Sequence, residues 1–149
     1  MGDKAFVDTN ILLRATILQF PFHEQAKQLV NEQIDTAVEL WISRQVIREY
    51  MVQATRPQSF MKPMTIEQIE AQLAGMRMLS QIADETEAVT SQLLELLKAY
   101  PTQGKLIHDA NIVATMLVNQ IDTLLTLNVA DFRRFENRIR IVSIEEISP

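Results

Sequence analysis

The chain has 149 residues, with 14 Lys or Arg against 19 Asp or Glu, and a formal net charge of −5. That length suits one domain, residues 1–149, able to bury a sizeable core without staples. The absence of cysteine excludes disulfides, thiolate metal sites and cysteine nucleophiles, and the acid excess excludes a protein that coats nucleic acid by bulk charge, though not a local basic groove.

The start, MGDKAFVDTN, carries Asp3 ahead of any apolar run, and no apolar stretch approaches the ~20 residues of a membrane helix. Phe6 stands where a myristoylation signal on Gly2 needs Ser or Thr. The expectation is a cytoplasmic protein with no membrane partner.

Residues 4–7 form a short apolar run of buried-strand length, ending at Asp8. Residues 10–18 read as a helix, with Ile11, Leu12, Ala15 and Leu18 at helical spacing, until Phe20-Pro21-Phe22 breaks the pattern. Residues 23–34 form a second amphipathic helix, and 38–42 (VELWI) a second strand whose Trp41 belongs in the core. Ser43 caps a third helix, which buries Val46, Ile47, Tyr50, Met51 and Ala54 and stops before Arg56-Pro57. Residues 56–64 are linker-like. Thr65-Ile66-Glu67-Gln68 is a capping box opening a fourth helix, punctuated by Gly75. A third strand over 79–83 follows, then a helix over 85–99, ended by Tyr100-Pro101. Gly104 precedes a helix over 105–119. A strand over 121–126, a short helix over 128–135 and a strand over 139–143 complete the chain. Strands alternating with helices predict a three-layer α/β/α sandwich around a central, mostly parallel sheet with right-handed crossovers.

Parallel sheets hold ligands beyond the carboxyl ends of their strands. Asp8 follows the first strand and Asp131 the fourth; Asp109 lies near the start of the helix after Gly104, and Glu49 on the helix after the second strand. Asp109 sits in LIHDANIVATML, where a buried carboxylate is costly unless paired or bound to a cation. Glu49, between Ile47 and Tyr50, raises the same question. Carboxylates converging on one point repel one another, and a hard divalent cation with oxygen ligands relieves that. Two histidines and no cysteine supply zinc poorly, so Mg²⁺ or Mn²⁺, as one or two ions, fits better.

Val7-Asp8-Thr9-Asn10, the isolated Glu49, His108-Asp109-Ala110-Asn111-Ile112-Val113-Ala114-Thr115 and Thr126-Leu127-Asn128-Val129-Ala130-Asp131-Phe132, in this order and at these separations, resemble the PIN domain family, and within it the VapC-type toxins. The resemblance covers nearly the whole chain. It implies a metal-dependent endoribonuclease, the toxin of a toxin–antitoxin pair, with an RNA substrate, an antitoxin partner and a homodimeric state. By position it assigns catalytic and metal-binding roles to Asp8, Glu49 and Asp109, with the fourth position filled by Asn128 or Asp131. Thr9, Asn10 and Thr126 would position the first acid, metal waters or substrate. Arg44 and Arg48 project from the Glu49 helix, and Arg133, Arg134, Arg138 and Arg140 cluster after Asp131; near a phosphate site such arginines become backbone contacts.

Simpler readings stand beside these. Asp8-Thr9-Asn10 is also ordinary turn and cap chemistry, Asp109 also complements a helix dipole, Asp131 can brace its short helix, and His108 reads as structural. Residues 60–64 read either as a mobile loop or as a partner-facing apolar patch, and with the Phe20-Pro21-Phe22 corner they are an expected surface for an antitoxin peptide, docking as helix or strand. One alternative function is a PIN-fold RNA- or protein-binding module of weak catalysis, because Asn128 carries no charge. Another is an aspartyl phosphotransferase, disfavoured because Asn10 stands where the second aspartate of its Asp-x-Asp motif belongs.

Overall fold

The computed structural model describes residues 3–144; Gly2 lies outside them. Five strands, β1 (Lys4–Val7), β2 (Glu39–Ser43), β3 (Ser80–Ala83), β4 (Thr123–Leu125) and β5 (Arg140–Val142), form one sheet in the order β3-β2-β1-β4-β5, parallel throughout. β1 is central, and Ala5, Phe6 and Val7 are buried one after another. That continuous apolar run is what a parallel strand covered on both faces requires.

Helices α1 (Thr9–Thr16) and α2 (His23–Asp35) join β1 to β2, and α3 (Arg44–Ala54) and α4 (Ile66–Leu79) join β2 to β3. Helices α5 (Glu87–Ala99) and α6 (Leu106–Val118) carry the chain back across the sheet to β4; α7 (Val129–Phe132) and a 3-10 turn (Arg133–Phe135) lead to β5. Right-handed crossovers put α1–α4 on one face and α5–α7 on the other. Side-by-side packing of α1 with α2 and α3, and of α5 with α6, agrees with those layers.

Local chemistry sets the starts of these helices. Asp8 caps α1, the Ser43 hydroxyl accepts from Val46 N–H, and Thr65 and Gln68 complete a reciprocal capping box. Several expectations need correction. The first helix ends at Thr16 rather than 18, because Ile17 turns extended (φ −120°, ψ 110°) into the core and Leu18 is left 70% exposed. Gly75 does not interrupt α4, which runs through it. Ile121 lies outside β4: Gln120 takes φ 53° and the Ile121 N–H donates back to the Met116 carbonyl (2.8 Å), closing α6 instead. Trp41 is half-buried rather than core; its Nε1 donates to Glu39 Oε1 (2.7 Å) and Lys4 Nζ lies 5.3 Å from its ring.

The strand order places the functional region. From β1 the chain winds outward through β2 and β3, then crosses back to β4 on the other side of β1. The carboxyl ends of β1 and β4 therefore flank a topological switch point, where open parallel sheets leave a crevice.

Candidate active site

Asp8 is the first residue after β1 and is 5% exposed. Three neighbours fix its carboxylate. Thr9 N–H donates to Oδ1 (2.8 Å), while the Thr126 hydroxyl (2.7 Å) and Asn10 Nδ2 (3.2 Å) donate to Oδ2. Thr126, fully buried just past β4, also accepts from Asn128 N–H (3.0 Å). Asn10 completes the bridge across the switch point, its Oδ1 accepting from Leu127 N–H (2.9 Å). These side chains tie the end of β1 to the end of β4.

Glu49 reaches the same region from α3. Its Oε2 accepts from the Thr9 hydroxyl (2.9 Å) and its Oε1 from Gln45 Nε2 (3.0 Å). Gln45 is 4% exposed and spans two helices: its Nε2 also donates to the His108 carbonyl (2.9 Å), and its Oε1 accepts from Asn111 Nδ2 (2.7 Å). Gln45 thus sets the position of the α6 turn that carries Asp109. Sequence reasoning missed it; the signal was a glutamine four residues before Glu49, on the same helical face.

Asp8, Glu49, Asp109 and Asn128 line one cavity of about 380 Å³, together with Thr9, Asn10, Arg14, Phe20, Gln53, Gln58 and Phe60. Burial, above all, raises the Asp8 carboxyl above its ordinary value; the charge of Glu49 adds to this, and its hydrogen bonds oppose it. Burial likewise pushes Asp109 up to about 6, reinforced by the charges of Asp8, Asp131 and Glu49 and countered by Arg134. Asn128 forms part of the cavity wall. Asp131, on the first turn of α7, stands exposed outside that wall, though its charge is felt at Asp109.

The arginines divide. Arg44 pairs with Asp84 (3.0 Å) and Arg48 with Glu85 (3.1 Å), so those charges are already engaged. Arg133 is exposed, and Arg134 lies 4.9 Å from the Phe135 ring and donates to the Leu106 carbonyl (3.5 Å). Arg14, which sequence reasoning passed over, lines the acid cavity itself. Its Nη1 donates to the Asn10 carbonyl (2.9 Å), its Nε has no partner among the described residues, and burial lowers its pKa. Its signal was its place two turns after Asp8.

The donor set is oxygen-rich, mutually repelling and short of nitrogen or sulfur, which suits a hard divalent cation. Among the described residues no three acids or histidines are gathered closely enough to hold an ion unaided. Mg²⁺ tolerates that arrangement, since it commonly keeps several waters and takes one or two carboxylates plus phosphate oxygens.

A model of the PIN domain matches residues 5–138. The chain belongs to the PIN domain family. No curated protein matches it. Among solved structures, this PIN domain is similar to VapBC2 from Rickettsia felis, solved with a DNA fragment from its promoter (TM-score 0.67, 18% identity, covering 95% of this chain and 99% of that one). It is similar to VapC20 of Mycobacterium tuberculosis, a toxin that cleaves the sarcin-ricin loop (TM-score 0.66, 17% identity, 97% and 99%). It is also similar to a toxin–antitoxin complex from Klebsiella pneumoniae (TM-score 0.65, 23% identity, 96% and 99%). The fold is thus that of the VapC proteins, as the sequence motifs implied. No helix among the described residues is long and apolar enough to cross a membrane.

Proposed function

We propose that this PIN domain protein is a divalent-metal-dependent endoribonuclease, the toxin of a toxin–antitoxin pair acting in the cytoplasm. One observation carries the reading. Asp8, Glu49 and Asp109, from three separate elements, line a single cavity at the switch point, with Asp8 and Asp109 both shifted upward. Carboxylates gathered at such a cost do not stabilise a fold, and they point to a functional site.

Asp8, Glu49 and Asp109 would hold the cation, with Asn128 or Asp131 completing the set. Mg²⁺ or Mn²⁺ bound there supplies positive charge at the scissile phosphate and a more acidic water. The protein's own part is positional. Thr126 and Asn10 orient Asp8, Thr9 and Gln45 orient Glu49, and Gln45 anchors the α6 backbone beside Asp109. Thr9 and Asn10, with their side chains spent on carboxylates and backbone, act through Asp8 and Glu49. The similarity to a toxin–antitoxin complex supports an antitoxin partner; a homodimer is proposed on the family resemblance alone.

Purified protein should cut RNA with Mg²⁺ or Mn²⁺, and Asp8→Asn should reduce cleavage at least a hundredfold. Equal cleavage by that variant would sink the reading. A second reading, a PIN-fold binding module without turnover, is favoured by the absence among the described residues of a preformed three-acid cluster and by the uncharged Asn128. Calorimetric titration of Mn²⁺ separates the two: tight metal binding supports the nuclease, and RNA binding with neither metal uptake nor turnover supports the module.

A further inference from the structure

Most of the cavity wall is not acidic. Arg14, Phe20, Gln53, Gln58 and Phe60 line the same space as the carboxylates. Phe20 is 7% exposed and packs edge-on with Phe60, ring centroids 4.9 Å apart at 73°. Phe60 is held by this contact yet remains 39% exposed. The loop bearing it is tied down on both sides: Gln58 Nε2 donates to the Gln53 carbonyl (3.0 Å), Gln58 and Met61 form a bridge, and Met64 N–H donates to the Ala54 carbonyl (2.9 Å). An exposed aromatic ring on a braced loop is a poor use of apolar surface unless something covers it.

Arg14 presents the complementary chemistry. Its guanidinium lies 5.8 Å from the Phe20 ring, donates to the Asn10 carbonyl (2.9 Å) and pairs with no carboxylate among the described residues. A partly desolvated cation without a counter-charge is costly, and an anionic oxygen entering the cavity that Arg14 lines would offset that cost. Gln53 and Gln58 add side-chain amides, which can each donate and accept at a base edge. A cation for phosphate, an aromatic face for a base and amides for its edge together describe a nucleotide. The cavity of about 380 Å³ has the size of a site for one small molecule. A base inside a duplex has both faces covered by its neighbours, so stacking on Phe60 selects an unpaired one.

We propose that this wall is a subsite for one unpaired nucleotide of the RNA, with its base stacked on Phe60 and a phosphate held by Arg14. The proposal rests on the nuclease reading for the substrate class, and it makes the enzyme selective for single-stranded segments or splayed-out bases.

The test uses the full chain. Single-stranded RNA oligomers carrying 2-aminopurine at successive positions are titrated against Asp8→Asn protein in Mn²⁺, and the same oligomers are cut by the active protein. At one position the fluorescence should be quenched on binding. Phe60→Ala should abolish that quench and raise Kd about tenfold; Phe60→Trp should restore both, as a stacking ring does and a folding defect does not. In the active background the Phe60→Ala loss should fall on KM more than on kcat. Arg14→Ala should lower the slope of log K against log salt by about 0.7, the contribution of one phosphate contact on a single strand; Phe60→Ala should leave it unaltered. Active protein whose KM, quench and salt slope ignore both substitutions overturns the subsite while the nuclease reading stands. A Phe60-dependent quench in a protein that cuts nothing keeps the subsite and removes the nuclease reading.

Discussion

At Asp8, three hydrogen bonds work against burial and lose; at Asp109 burial is reinforced by three carboxylates. Asp109 titrates near 6 in the folded protein against 3.8 for the ordinary group. Between those values the folded state holds a proton that the unfolded chain has released, so the metal-free protein is more stable at the acid end of that window and loses stability as pH rises through it. Thermal unfolding with chelator present should therefore show a melting temperature that falls from about pH 4 to about pH 6. Asp109→Asn should flatten this slope and raise the metal-free melting temperature near neutrality. Mn²⁺ should stabilise the native protein and do less for the variant. A variant that melts lower than the parent without metal would show that Asp109 is held by compensation rather than tolerated for function. Gln45 makes the opposite case. Replacing it with Leu strands Glu49 and Asn111 without a donor and an acceptor, and should cost about 1–3 kcal/mol, read as a shifted urea midpoint, together with a loss of RNA cleavage.

At the scale of the element, legibility depended on whether the deciding interaction was local. The short buried strands, the Ser43 cap and the Thr65-Gln68 box are written in neighbouring residues, and they formed where the pattern placed them. The acids were legible as costly residues in apolar surroundings, and three of them do meet in one cavity. Gln45 and Arg14 were not, because a buried glutamine bridging α3 to α6 looks in sequence like any polar residue on a helix. Helix ends set by non-local demands also escaped: Ile17 leaves α1 because the core needs its side chain, which periodicity alone cannot say. Gly75 was misread as punctuation. It lies exposed inside α4, and a Cβ built there meets nothing within 4 Å. Gly75→Ala should therefore stabilise the fold by about 0.5–1 kcal/mol through the unfolded chain's lost freedom, measurable as a rise of about 2–4 °C per kcal/mol. The same substitution should leave RNA cleavage unaltered.

Across the whole molecule, the net charge of −5 takes on a shape. With Asp8, Glu49, Asp109 and Asp131 set aside, acids barely outnumber bases, so much of the excess is gathered around one cavity, where a cation would offset it. The net acidity still speaks against a charge-coated nucleic-acid binder, and a phosphate bridged through metal is compatible with it. The sheet order also makes the site a late product of the chain. The hydrogen bond from Thr126 to Asp8 joins residues 118 positions apart, and β1 pairs directly with β4. A chain cut after residue 120 still contains Asp8, Glu49 and Asp109, but it lacks the strand and the hydroxyl that fix the first of them. Such a fragment should neither take up Mn²⁺ in calorimetry nor cut RNA. On the proposed nuclease reading this is a form of timing. Asp8 leaves the exit tunnel 118 residues ahead of Thr126, yet it gains its bridging partners only when β4 has followed. On that reading an incomplete chain is not yet armed, and the same interval gives the proposed neutralising partner time to be present when the site closes.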